Sequence, residues 1–285
     1  ADHGIAEAGV SAYPRAVTRE MLRNFAGGGA ASTVIARSVE VEVEVIDVGV
    51  DLAPDDVPPG VVVAKTRRGT TRFDRSPAMS ASERDSAFAA GVAAVARAGR
   101  VDAIAIGEMG IGNTTAAAAL LAALTGAPVA DCVGRGTGVD DAGLARKQAV
   151  IAHAVARIGE IRDPSVLLAE LGGFEIAAMV GAITAGAAGD RLVIVDGFIA
   201  SVAALIAVKL DDGIATRLLY AHRSAESGHR LCLDVLGVEP LLDLSMRLGE
   251  GTGALLAVPL LRAAAAVMRE MATFESAGVS SKVPA

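Results

Sequence analysis

Three stretches combine residue types and spacing that could do chemistry. The first is "RLGEGTGALLAVPLLRAAAAVM", where a single carboxylate, Glu250, stands between Gly249 and Gly251 at the head of a long apolar run. Burial against that run would raise its pKa toward neutrality, the profile of a general base. The plainer reading is an acid that complements a helix dipole. The second is "GEMGIGNTT", residues 107–115. Gly107, Gly110 and Gly112 allow a tight turn and close approach to a ligand, while Asn113, Thr114 and Thr115 offer donors at a helix N-terminus, where free N–H groups favour a phosphate. The spacing is neither a Walker loop nor GxGxxG. A tight strand-to-helix turn with an ordinary cap accounts for the glycines but leaves Glu108, a charge in mid-turn, unexplained. The third is "GRGTG", residues 134–138. Gly134 and Gly136 lead into another helix, whose early turns carry Lys147 within reach of an anion. A solvated surface lysine is the plainer reading there.

Two further features are weaker. "VDGFIAS" puts Asp196 at the carboxyl end of a strand, the edge at which open α/β sheets bind ligands. "AHRSAESGH" gathers His222, Arg223, Ser224, Glu226 and His229 in one loop, read as a polar pocket lining. The two histidines lack zinc spacing and have no cysteine or third histidine suitably placed, so no metal site is expected.

These residues need a frame. Strand–glycine turn–helix units at 101–124 and 191–210 argue for a parallel sheet covered on both faces. "VEVEVEVI", 39–46, alternates as a strand with one wet face, and "GVVVAK", 60–65, is a short strand after Pro58-Pro59-Gly60. Residues 101–106 read as a mostly buried strand. Ser80 and Glu83 form a capping box for a helix that ends at Gly99. "LGGFEIAAMVGAITAGAAG" is a small-residue helix suited to close packing. After Pro240 the pattern reads as helical, with a kink expected at Pro259.

Composition narrows the class. The chain has 285 residues, 52% of them hydrophobic and only 3% aromatic, enough for one large core packed with Ala, Val, Leu and Ile. A net charge of −7 argues against a nucleic-acid or anionic-lipid partner. Cys132 and Cys232 lie outside any CxxC pair and read as core thiols in a reducing cytoplasm. The apolar runs 198–208 and 255–261 are short for a membrane span. The opening "ADHGIAEAGVSAYP" looks like a loop that follows a missing strand.

In order, "ADHGIAEAGVSAYP", "RRGTTRFDRSPAMS", "GEMGIGNTTAAAAL", "LGGFEIAAMVGAI", "VDGFIASVAAL", "AHRSAESGH" and "MRLGEGTGALLAVPL" resemble one family, the nicotinate-nucleotide–dimethylbenzimidazole phosphoribosyltransferases (the CobT family of cobalamin lower-ligand assembly). The resemblance implies a Rossmann-like α/β fold: a mostly parallel sheet flanked by helices in a phosphoribosyl-binding domain at 1–239, and a helical part at 240–285 carrying the catalytic glutamate. It implies transfer of 5-phosphoribose from nicotinate mononucleotide to dimethylbenzimidazole or a related base, without a cofactor. Glu250 looks like the base and Glu108 like a second active-site acid. Gly110, Gly112, Asn113, Thr114, Gly134, Gly136, Lys147 and Ser224 resemble substrate-binding positions, and Tyr13, Pro14 and Met21 fall where the base pocket is lined. Some characterised members carry polar Ser and Gln where Tyr13 and Met21 align. A homodimer with its sites near the subunit interface is implied as well. The rival readings are a non-catalytic nucleotide or base binder and a Rossmann-type oxidoreductase.

Overall fold

A computed structural model describes residues 1–136 and 138–280. Thr137 of the "GRGTG" loop, and residues 281–285 of the helical part expected at 240–285, lie outside the described residues. The helices are α1 (Ala16–Ala26), α2 (Ala31–Ser38), α3 (Ala81–Arg97), α4 (Asn113–Thr125), α5 (Val129–Cys132), α6 (Asp141–Ile158), α7 (Pro164–Leu171), α8 (Phe174–Ala188), α9 (Phe198–Leu210), α10 (Ser227–Leu236) and α11 (Thr252–Glu270). The strands are β1 (Val45–Asp47), β2 (Val61–Val63), β3 (Ala103–Ile106), β4 (Leu192–Val195) and β5 (Leu218–Tyr220).

The central sheet is parallel throughout in the order β3-β4-β5, with Ile106 opposite Val195 and Val195 opposite Tyr220. Parallel neighbours require crossovers, and apolar helices supply them. α4 and α9 are apolar on every side and buried along most of their length, so they serve as core. The other sheet face meets α11, where Ile194, Ala221, Ala254 and Ala257 form a separate apolar cluster. β3 departs from the expected buried strand. It is an edge strand, and Ala103 and Ala105 are exposed.

The capping box forms as expected. The Ser80 hydroxyl accepts from the Glu83 N–H, and the Glu83 carboxylate accepts from the Ser80 N–H. The small-residue helix α8 packs against α3 at near backbone contact. A Cβ on Gly91 would lie 1.8 Å from the Ala178 carbonyl oxygen, and one on Gly181 would lie 2.1 Å from that of Phe88. Gly91→Ala must therefore push two helices apart. The expected cost is about 1–3 kcal/mol, read as a lower urea midpoint.

Two stretches fold differently from the expectation. "VEVEVEVI" pairs only from Val45, as part of the two-stranded parallel β1–β2 sheet. Its start is taken by the end of α2: the Val41 N–H returns to the Ala36 carbonyl while Glu40 adopts φ 53°. Arg262 of α11 then holds the Val39 and Glu40 carbonyls, so the first alternating residues have no strand to join. Residues 240–251 are not helical. They run beside β5, with the Leu241 N–H donating to the Tyr220 carbonyl and the Leu242 N–H to that of Ala221.

α11 itself is continuous through Pro259. Among the described residues it is the one helix long and apolar enough to cross a membrane by length and composition, longer than the run legible in the sequence. Its first turns, from Thr252 to Ala257, are nevertheless largely buried in the protein.

Candidate active site

The site is built where the ends of β3 and β4 meet the head of α11. The chain leaves β3 at Gly107 and presents Glu108. Facing it, residues 249–251 adopt three successive left-handed conformations, with φ of 81°, 64° and 77°. Glu250 is the only one of the three with a side chain, and a non-glycine residue held there stores about 1–3 kcal/mol of strain. The turn is pinned from two sides. The Glu250 N–H donates to the Glu108 carbonyl at 3.1 Å, and the Asp196 carboxylate accepts from the N–H groups of Gly251 at 3.2 Å and Ala254 at 3.0 Å. A Cβ on Gly107 would lie 2.4 Å from the Gly251 nitrogen, so the two glycine turns meet backbone to backbone. The glycines around Glu250 are thus explained by contact with the Glu108 turn.

The two carboxyls have different surroundings. Glu250 is half-buried, and its Oε2 accepts from the Ser32 N–H at 3.3 Å and the Ser32 hydroxyl at 3.5 Å. Ser32 lies in the first turn of α2, where unpaired N–H groups favour a negative charge. Glu108 accepts from the Asn113 side-chain amide. Burial, reinforced by the charges of Glu175 and Asp196, pushes Glu108 up to about 8. Nearby, Glu175 pairs with His3. Burial opposes its ionisation, but the imidazole holds it below the ordinary range.

Glu108 carries a pH signature. Between its ordinary value of 4.5 and about 8, the unfolded carboxyl is ionised while the folded one keeps its proton. The folded state therefore binds more protons, and the contribution of Glu108 to stability declines as pH rises through that window. Glu108→Gln is expected to raise Tm relative to the parent by more at pH 8 than at pH 5, as read by thermal melts.

A second cluster lies at the N-termini of α4 and α6. Lys147 is buried, 1% exposed, and its Nζ donates to Thr114 Oγ1 at 3.0 Å and to the Gly134 carbonyl at 3.2 Å. Burial pushes it down to about 8, partly opposed by Glu226. The Gly136 N–H donates to Glu226 Oε2 at 3.2 Å. Thr114, Gly134, Gly136 and Lys147, far apart in sequence, thus form one cradle, and the solvated-lysine reading fails.

A cavity of about 1250 Å³ opens beside the two glutamates, lined near them by Thr18, Leu22, Phe25, Ser32, Glu175 and Leu255. Comparison with known proteins bears on what this arrangement serves. A phosphoribosyltransferase family model matches residues 1–279. The nicotinate-nucleotide–dimethylbenzimidazole phosphoribosyltransferase of Cupriavidus necator is 50% identical over all of this chain and 82% of its own length. That of a Bradyrhizobium species is 54% identical over 99% of this chain and 81% of its own. The crystal structure of CobT from Thermus thermophilus superposes with a TM-score of 0.95 at 47% identity, covering 99% of this chain and 85% of that one.

The chain belongs to this phosphoribosyltransferase family. Its α/β fold of parallel strands flanked by helices is that of the family's crystal structure. The remaining sequence-derived positions of this phosphoribosyltransferase divide unevenly. Gly110 and Gly112 pack against the first residues of the chain: a Cβ on Gly110 would lie 2.4 Å from the Ala1 carbonyl oxygen, and one on Gly112 3.2 Å from His3 Cβ. Asn113 turns its amide to Glu108 rather than to the Thr114–Lys147 cradle. Ser224 is buried, its N–H donating to His229 Nδ1 at 2.9 Å and its hydroxyl accepting from the Glu226 N–H at 3.3 Å. His229 is a satisfied core histidine. With Nδ1 accepting, its Nε2–H faces Ser201 Oγ at 2.9 Å, and burial pushes it down to about 3.

The structure does not bring Tyr13, Pro14 and Met21 to the cavity. Tyr13 and Pro14 are exposed ahead of α1, and Met21 is half-buried on α1 with its sulfur accepting from the Asn24 amide. Thr18, Leu22 and Phe25 line the cavity instead, at i, i+4 and i+7 on one face of α1. Ser32 went unread in the sequence. Its only signal is its place just after "GGGAA" at the start of a helix.

Proposed function

We propose that Glu250 is the base in transfer of 5-phosphoribose from nicotinate mononucleotide to dimethylbenzimidazole, the reaction of this family in cobalamin synthesis. The observation that supports this best is the clamped carboxylate itself: a strained glutamate fixed at the cavity edge, oriented by Ser32, beside a second carboxyl that keeps its proton at neutral pH.

The chemistry requires little more. Nicotinate in the mononucleotide is a pyridinium, so it leaves C1′ as a neutral ring and needs no acid. The incoming benzimidazole attacks through its lone-pair nitrogen. Positive charge grows on the ring, and the opposite N–H becomes acidic. Glu250 stabilises that charge and accepts the proton. One in-line displacement converts the β-linked donor to α-ribazole 5′-phosphate. Protonated Glu108 serves as a hydrogen-bond donor to the sugar or to one of the rings. Lys147, Thr114 and the loop at Gly134 and Gly136 hold the phosphate, and the α1 face of Thr18, Leu22 and Phe25 receives the flat base. Holding two rings on opposite sides of one ribose is catalysis by proximity.

The enzyme works as a soluble biosynthetic catalyst. Its free, buried thiols, Cys132 and Cys232, fit a reducing cytoplasm. The apolar residues exposed at the end of α11, among them Val267, Met268 and Met271, support a homodimer. The deciding experiment is incubation with nicotinate mononucleotide and dimethylbenzimidazole, followed by chromatography. Stoichiometric nicotinate and α-ribazole phosphate are expected. Binding of both substrates with no nicotinate released would leave a non-catalytic relative.

A further inference from the structure

The head of α11 lacks a cap of its own. Its N-cap residue, Gly251, has no side chain, and no side-chain cap is made from within the helix. The cap comes instead from Asp196, 55 residues earlier at the end of β4, which is only 2% exposed. Each carboxylate oxygen takes one backbone N–H, Oδ2 that of Gly251 at 3.2 Å and Oδ1 that of Ala254 at 3.0 Å. His222 stands behind it, equally buried, with Nε2 3.6 Å from Asp196 Oδ1. The imidazole fills a slot that two glycines leave open. A Cβ on Gly253 would lie 2.0 Å from its Cδ2, and one on Gly197 3.0 Å from its Nε2.

This arrangement does more than end a helix. Gly251 directly follows Glu250, and a strained non-glycine residue persists only where its surroundings over-determine it. The Thr252 N–H and hydroxyl close the turn on the Gly249 carbonyl, and the Asp196 bonds and the Glu250 N–H bond to Glu108 tie it to the rest of the site. A shift of the Gly251 nitrogen would swing Glu250 away from the Ser32 donors. We propose that Asp196, held in place by His222, is the positioning residue that aims the Glu250 carboxylate at the incoming base. The inference rests on the proposed role of Glu250.

The test uses the full chain, with steady-state kinetics of Asp196→Asn, Glu250→Gln and the double variant. Asp196→Asn keeps the shape but puts an amide NH₂ where one backbone N–H must be accepted. Turnover is expected to fall about 100-fold, the scale of a 1 Å misplacement, with KM for the mononucleotide little changed. In the Glu250→Gln background the same change is expected to cost nothing further, because the group it aims is already disabled. A merely structural role would raise KM and lower kcat together, and would cost as much in the double variant as alone. Either that pattern, or Asp196→Asn turning over within about twofold of the parent, overturns the proposal. If Asp196→Asn does not fold, His222→Gln carries the test, with a turnover loss of about 10-fold and the same absence of effect on Glu250→Gln. A Glu250→Gln enzyme that turns over normally would sink the base assignment. A dead Glu250→Gln beside a fully active Asp196→Asn would sink only the positioning role.

Discussion

Glu250→Gln is expected to lose about 10²–10⁴ in kcat while nicotinate mononucleotide binds as before. Glutamine matches glutamate in size, and its amide oxygen can still accept from the Ser32 N–H and hydroxyl that hold Oε2 at 3.3 and 3.5 Å. The left-handed backbone at φ 64° is no harder for glutamine than for glutamate, so the turn and the head of α11 should survive. What the amide cannot do is take a proton from the benzimidazole or balance the charge growing on it. The loss should therefore fall on the chemical step. Steady-state kinetics with each substrate varied, together with calorimetric titration of the mononucleotide, separates the two effects. Turnover within about threefold of the parent would remove Glu250 from the base role, since general-base assistance contributes at least about 10²-fold.

The pairing of Glu250 with Glu108 gives that expectation its mechanistic weight. The two carboxyls sit on facing turns, joined by the Glu250 N–H to Glu108 carbonyl bond. Their environments differ as the chemistry needs. Glu250 meets two Ser32 donors at the start of α2. Burial, reinforced by the charges of Glu175 and Asp196, lets Glu108 keep its proton up to about pH 8. Two adjacent acids in one cavity serve as acceptor and donor only when their surroundings divide the roles this way.

Much of this was legible in the sequence because it is local. The capping box at Ser80, the strand–turn–helix units and the glycine turn bearing Glu108 each follow from residues within one or two turns of one another. Lys147 offers itself as a cation for an anion site because it lies in the early turns of the helix that follows a glycine loop, although a solvated lysine is the plainer reading of the sequence. The misreadings share a different cause, contacts between distant segments. Arg262 fixes Val39 and Glu40, so the alternating stretch loses its strand partner. Backbone pairing with Tyr220 and Ala221 keeps residues 241 and 242 extended where composition suggested helix. Ser32 gains meaning only when α2 meets a turn 218 residues away. The α1 face that lines the cavity, Thr18, Leu22 and Phe25, cannot be told from a core face until the space beside it is seen. Asp196 was read as a ligand-edge acid, yet its oxygens face the head of α11.

Lys147→Met is expected to raise KM for the mononucleotide about 10- to 100-fold and to leave KM for the benzimidazole nearly unchanged, the scale of one lost charge-assisted hydrogen bond. Methionine is the informative choice because the side chain is 1% exposed, and alanine would add a cavity to the loss of charge. Thr114 Oγ1 and the Gly134 carbonyl engage two of the three ammonium donors and aim the group into the cradle, where a phosphate can take the third. Burial supplies a second readout. The ammonium titrates at about 8 rather than 10.5, so the parent loses its positive cradle as pH rises through about 8. KM for the mononucleotide should climb more steeply across that range in the parent than in Lys147→Met, which has no charge to lose. Glu108 titrates in the same range in both proteins, so it cannot produce the difference between them. If the variant raised KM for the benzimidazole instead, or matched the pH dependence of the parent, the phosphate would have to be held elsewhere, and the cradle at Thr114, Gly134 and Gly136 would be structural.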